Sequence, residues 1–112
     1  VAYFCKNNPI LNNSESNKDY QLAGMVYGDH YGLSDILPKI KSGFIQGNFN
    51  PSYLLETEDI FEKNLNDFIR KLLKLSVEDR SGWICSLSHG VLPKSREKNV
   101  RSFIKTVRSV FR

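Results

Sequence analysis

The run WICSLSHGVLP, Trp83 to Pro93, carries an apolar, strand-like stretch onto a histidine that is followed at once by a glycine. An imidazole there can move a proton or meet an anion near neutral pH. Gly90 beside it would let the backbone turn tightly or approach a ligand closely. Two other stretches end in a comparable way. IQGNFNP sets Gln46, Asn48 and Asn50 at the carboxyl end of an apolar run, closed by Pro51, and VYGDHY delivers Asp29 and His30. The three ends offer one carboxylate, two imidazoles and three amides. In barrels and in open α/β sheets alike, ligands bind at the carboxyl ends of strands.

The elements that must position these groups follow from the hydrophobic pattern. VAYFC (1–5), AGMVYG (23–28), GFIQGN (43–48) and GWICSL (82–87) are rich in β-branched, aromatic or sulfur-containing residues and are bounded by Gly, Asn, Asp or Ser. They are nearly continuous apolar runs, the pattern of parallel strands covered on both faces. Between them, 58–74 places Phe61, Leu65, Phe68, Ile69, Leu72 and Leu73 at helical spacing, with Thr57 as the predicted N-cap. Acids in its first turn and bases in its last suit the helix dipole. A closing helix over 96–111 puts Val100, Phe103, Ile104, Val107 and Phe111 on one face, with Ser95 as the predicted N-cap. The segment 34–41 has room for a turn or two of helix limited by Pro38, and the Asn- and Ser-rich stretch 7–19 reads as loop.

Strands alternating with helices, without hairpin turns, predict βα units and a parallel sheet. Four such units average about 28 residues each, and an eight-unit barrel takes roughly 250 residues, so this chain is about half of one. A small open α/β sheet is the alternative that periodicity leaves standing.

The 112 residues are 40% hydrophobic and 25% charged, the composition of one small globular domain. No apolar run approaches the roughly 20 residues of a membrane span, and no leader is visible, so the expected compartment is the cytosol. The chain opens in mid-strand on Val1 and has its only methionine at Met25. The expectation is a fragment or an incomplete gene product. Cys5 and Cys85 lie far apart, without a CxxC or a nearby His, a spacing that suits neither a zinc site nor a disulfide framework. Each reads as a small buried hydrophobe.

Net charge is +4, and the basic residues crowd the end: Lys94, Arg96, Lys98, Arg101, Lys105, Arg108 and Arg112 face the single acid Glu97. The stripe reads first as the solvated face of an amphipathic helix and second as a contact for phosphate. No aromatic residue is interleaved on it as a base-stacking platform requires, so nucleic acid is the less favoured partner.

Taken together, the motifs resemble the uroporphyrinogen decarboxylase family. IQGNFNPSYLL (45–55) is similar to that family's QGNLDP-like strand end, and CSLSHGVLP (85–93) to its N-L-G-H-G-like strand end with Leu-Pro beyond, in the same order and at similar separation. GMVYGDHY resembles the family's strand ending in an Asp-Trp pair, with His30 in place of Trp, and VAYFCKN the strand before it. The resemblance covers most of the chain and is weakest over 8–22.

It implies the carboxyl-terminal half of a (β/α)₈ barrel, its last four units, in a cytosolic homodimer. The implied activity removes the acetate carboxyls of uroporphyrinogen to give coproporphyrinogen, without metal or organic cofactor. The family's chief catalytic aspartate, substrate-gripping arginines and tyrosine belong to its amino-terminal part, which this chain does not contain. What carries over is the GHG-type histidine, onto His89, as a ligand for substrate carboxylate or pyrrole. Gln46, Asn48 and Asp29 are possible rim residues, although holding loop backbone is the first expectation for Gln46 and Asn48.

Several positions depart from the family pattern: Ser88 for its Gly, Asn50 for its Asp, and Lys94 for its acidic residue after Leu-Pro. The related cobamide methyltransferases hold zinc with His and Cys on this fold. No Cys joins a ligand cluster at the last strand end here, which favours the decarboxylase branch.

Three function classes follow. The first is part of a carboxy-lyase, completed by the missing amino-terminal barrel half and acting on a tetrapyrrole. The others are an inert or tetrapyrrole-binding module, and an anion- or nucleic-acid-binding domain built on the basic last helix. A half barrel leaves sheet edges and one apolar face open, so the isolated chain is expected to self-associate and not to turn over.

Overall fold

The computed structural model describes residues 2–5, 24–29, 31–40 and 43–111. His30, the 7–19 segment and Arg112 lie outside the described residues. Four strands, β1 (Ala2–Cys5), β2 (Gly24–Tyr27), β3 (Phe44–Phe49) and β4 (Trp83–Leu87), form one parallel sheet in chain order. The register sets Val26 beside Gln46 and Gln46 beside Ile84, with Asn48 beside Ser86 at the carboxyl end. All four strands fall within a residue or so of the expected runs.

Helix α1 (Leu33–Ile36) passes into a 3-10 turn, Leu37–Lys39, that contains Pro38. A second 3-10 turn, Pro51–Leu55, starts immediately after β3, where Pro51 cannot extend the ladder. Helix α2 (Glu58–Leu73) follows, then the short α3 (Val77–Arg80) and, after β4, α4 (Glu97–Val110).

The α2 stripe folds as expected in its main part. Phe61, Leu65, Ile69 and Leu72 are buried, with Phe68 packed beside them. Leu73 is 48% exposed. It sits about 100° round the helix from the centre of that stripe, too far to share it. Thr57 holds the N-cap position, but its side chain makes no capping bond. Its carbonyl alone opens the helix by accepting from the Phe61 N–H at 2.9 Å.

Two expectations for α4 are corrected. Its N-cap is Arg96, whose carbonyl accepts from Val100 N–H at 3.1 Å. The Ser95 hydroxyl instead donates back to the Leu92 carbonyl at 2.7 Å, closing the preceding turn. Within the helix, Ile104 is 46% exposed and the residue sealed inside is Asn99. The Asn99 amide donates to the carbonyls of Leu54 and Glu56 at 3.1 and 3.0 Å, pinning α4 to the end of the 3-10 turn after β3. A buried amide is tolerated there because its donors are satisfied.

Side chains alternate across each strand, and the two sheet faces differ. Met25, Tyr27, Ile45, Phe49, Trp83 and Leu87 point toward the helices and join two continuous clusters with Leu33, Leu37, Phe61, Leu65, Ile69 and Leu72. Phe49 is the centre of an aromatic group, with Tyr53, Phe61, Phe68 and Phe103 between 5.2 and 6.1 Å ring to ring. The opposite face carries Val26, Phe44, Gln46, Ile84 and Ser86, and Ile84 is 46% exposed. No described helix covers it. The expectation of strands covered on both faces therefore holds on one face only.

The basic stripe of α4 is partly engaged. Lys98 Nζ meets Glu58 Oε2 at 2.8 Å, which holds its ammonium above the ordinary lysine range, and Arg101 pairs with Glu97 one turn away. Among the described residues, no helix is long and apolar enough to cross a membrane.

Candidate functional site

The carboxyl ends of β2, β3 and β4 meet at one rim. Asp29, just beyond β2, is its centre. Its Oδ1 accepts from the Ser88 hydroxyl at 3.1 Å, and its Oδ2 accepts from the Asn50 amide at 3.2 Å. One carboxylate thus ties together the loops after three strands.

Asn50 is fixed in turn, because its Oδ1 accepts from Ser52 N–H at 2.9 Å as the cap of the 3-10 turn. Ser88 is buried, and its backbone N–H donates to Phe49 O at 2.8 Å, continuing the β3–β4 pairing past the strand end. Among the described residues, each Asp29 oxygen takes one bond and keeps a lone pair for another donor.

Asn48 serves the backbone. Its amide donates to Gly28 O at 2.9 Å and to Tyr31 O, bracing the loop that presents Asp29. Gly47 precedes it with φ +148°, and a Cβ there would lie 3.0 Å from the Tyr27 carbonyl. Only glycine fits that close passage between β2 and β3. Trp83 locks the same point from β4, donating its indole N–H to Gly47 O at 2.9 Å.

A cleft of about 410 Å³ opens beside this rim, lined by Asp29, Asn48 and Asn50 together with Tyr31, Tyr53, Asn64, Asp67 and Lys71. Carboxylate, amides, phenols and an ammonium give it both donors and acceptors for a polar ligand.

The predicted residues separate into two groups. Asp29 and Asn48 come together, with Asn50. Gln46 lies lower on β3, on the uncovered face, between Val26 and Ile84. His89 stands exposed, one residue past Ser88, with Nδ1 3.1 Å from Gly90 O. A carbonyl only accepts, so Nδ1 carries the proton and Nε2 faces outward, an acceptor when the ring is neutral and a donor when it is charged.

Gly90 does not take a left-handed conformation, and a Cβ on it would meet open space. The chain bends through Ser88, His89 and Gly90 in a conformation that does not demand glycine, and the left-handed residue in this loop is Lys94, at φ 67°.

Sequence reasoning missed one donor of the rim and the pairing of another. Ser88 stood out only as a departure from a motif, and Asn50 was placed at its strand end without a partner, yet both are donors that hold Asp29. The usable signal was the parallel topology, which sets the ends of adjacent strands side by side. Cys85 lies on the helix-facing side of β4, where burial pushes its thiol up to about 12, so it stays a neutral thiol near pH 7. Among the described residues, no group of three or more His, Cys, Asp or Glu is arranged to hold a metal ion.

Comparison with known proteins adds a lineage to this geometry. The family model for uroporphyrinogen decarboxylase matches residues 1–110. The uroporphyrinogen decarboxylase of Chlamydia muridarum is 33% identical over 82 residues, covering 72% of this chain and 23% of its own length. That of Crocosphaera subtropica is 36% identical over 66 residues, 59% of this chain and 17% of its own length. The Orientia tsutsugamushi protein of the same name is 27% identical over 92 residues, 82% of this chain and 25% of its own length. The matched part of the chain therefore spans between 17% and 25% of the length of these relatives.

Proposed function

The chain belongs to the uroporphyrinogen decarboxylase family, and from that premise we propose that it supplies the carboxyl-terminal part of a decarboxylase site: the last four βα units of a (β/α)₈ barrel. The whole enzyme removes the acetate carboxyls of uroporphyrinogen III to give coproporphyrinogen III in porphyrin synthesis. It works in the cytoplasm as a homodimer and without a cofactor.

The observation that carries this reading is the pairing of a tied rim with an uncovered sheet face. Asp29, Ser88 and Asn50 set three strand ends in place around one opening, while Val26, Phe44, Gln46 and Ile84 present the face that would line a barrel's interior. Closing the barrel would cover that face and remove both sheet edges.

The chemistry asks for a proton on the pyrrole and compensation of the carbanion-like charge left as carbon dioxide departs. In this reading His89, with Nε2 outward, binds a substrate carboxylate as its imidazolium or donates to a pyrrole-side group. Asp29 offers its remaining lone pairs to N–H donors at the rim. Gln46 and Asn48 support the wall. The groups that complete proton transfer come from the amino-terminal part of the barrel.

The test is decarboxylation of uroporphyrinogen under anaerobic, reducing conditions, with the chain alone and then mixed with the amino-terminal part of a relative. We expect turnover in the mixture alone, lowered at least about tenfold by His89→Ala. Turnover unaffected by that substitution would remove His89 from the site. A stable one-to-one mixture without turnover would contradict the proposal.

A further inference from the structure

A second cleft lies away from the rim, on the helix side of β4, between α3 and the end of α4. Its volume is about 380 Å³, within the roughly 300–1,000 Å³ range of small-molecule pockets. Trp83, Val107 and Phe111 wall it, Cys85 lies at the sheet side, and Arg80 and Arg108 bring two guanidinium groups. Among the described residues, no acidic side chain lines it.

Arg80 is the informative member. Its Nη1 is buried and has no hydrogen-bond partner among the described residues. Its guanidinium carbon sits 5.4 Å from the centre of the Phe111 ring. The aromatic face holds the cation in place; the sealed Nη1 has no acceptor among the described residues, an arrangement that proteins avoid, and the rest of the side chain lines the cleft. A guanidinium presents a planar fork that matches a carboxylate, and Arg108 adds positive charge to the same space. The indole of Trp83 is fixed by its bond to Gly47 O and packs edge-on against Phe111 and tilted against Phe68, so its ring is a rigid apolar wall.

We propose that this cleft binds a small amphipathic carboxylate, its carboxylate on Arg80 and Arg108 and its apolar body along Trp83 and Phe111. The inference does not depend on the decarboxylase reading. It uses a different face of the sheet and different residues.

Trp83 is the only tryptophan in the chain and so reports on the cleft directly. The full chain is titrated with decanoate and, separately, with decanol, following Trp83 fluorescence. A saturable change is expected with decanoate, and binding of decanol at least about tenfold weaker, since the alcohol cannot make the charge-assisted pair. Arg80→Gln should weaken decanoate binding about tenfold and Arg108→Gln about threefold, with decanol unchanged by either. Lys98→Gln, on the ion pair with Glu58, should leave both alone.

Equal affinity for acid and alcohol, no saturable change with decanoate, or indifference to both arginine substitutions would each overturn the proposal. Far-UV circular dichroism checks that Arg80→Gln still folds. If it does not, the acid-to-alcohol ratio and Arg108→Gln decide.

Discussion

The two faces of the sheet are made by the same strands and have different fates. On one, Phe49, Tyr27, Ile45 and Met25 disappear beneath α1 and α2 and join aromatic and aliphatic clusters that run into α4. On the other, Ile84 and Gln46 sit side by side across the β3–β4 register with no described helix over them. The contrast teaches where this chain's own stability resides. Hydrophobic stabilisation scales with apolar area removed from water, so the helix face holds the unit together. The other face is an open surface whose apolar members contribute little until something covers them.

Substitutions on the two faces should therefore differ in kind. Phe49→Ala removes the ring at the centre of the aromatic group and should lower unfolding stability by about 3–5 kcal/mol in denaturant titration. A loss below about 1 kcal/mol would mean the helix face is not the core. Next in size is Asn99→Ala, which strips its donors from the buried Leu54 carbonyl and the part-buried Glu56 carbonyl, at about 1–3 kcal/mol by the same titration. An unchanged midpoint would show that water replaces the amide.

Smaller again is Ser88→Ala, which removes one of the two donors to Asp29 among the described residues and should cost about 1 kcal/mol. Its sharper readout is loosening of the β2 loop, seen as faster amide exchange at Tyr31. Exchange at the wild-type rate would show that Asn50 holds Asp29 alone. Smallest is Ile84→Ser on the open face, within about 0.5 kcal/mol of wild type. It should nonetheless reduce self-association measured by light scattering. A loss like that of Phe49→Ala would erase the difference between the faces.

Much of this was legible in the sequence, for identifiable reasons. Strand and helix positions follow from periodicity, and the long α2 stripe from Phe61 to Leu72 is hard to misread. The misreadings come where periodicity ignores what the element packs against. Leu73 and Ile104 are apolar and near a buried stripe, yet each turns outward. Asn99 is polar and lies outside the apolar pattern, yet it is sealed, donating to two carbonyls of a neighbouring turn. Ser95 has the side chain of an N-cap, but the turn before α4 claims its hydroxyl.

The rim was legible in part. Its strand ends could be placed from Gly, Asn and Pro, and Asp29 and Asn48 fall where the motifs put them. The bonds of Asp29 to Ser88 and Asn50 depend on inter-strand register, to which local pattern is blind. The second cleft was illegible for the same reason, since Arg80 and Arg108 come from different helices and line one space only through packing.

The most direct measurement is hydrogen–deuterium exchange of β3 and β4, with molar mass by light scattering, before and after adding the amino-terminal part of a relative. The expected result is a one-to-one complex in which Ile84 and its neighbours in β4 become strongly protected while α2 changes little. A chain that stays a monodisperse monomer, with exchange in β4 unaltered by the addition, would contradict the claim that this sheet is one portion of a larger closed one.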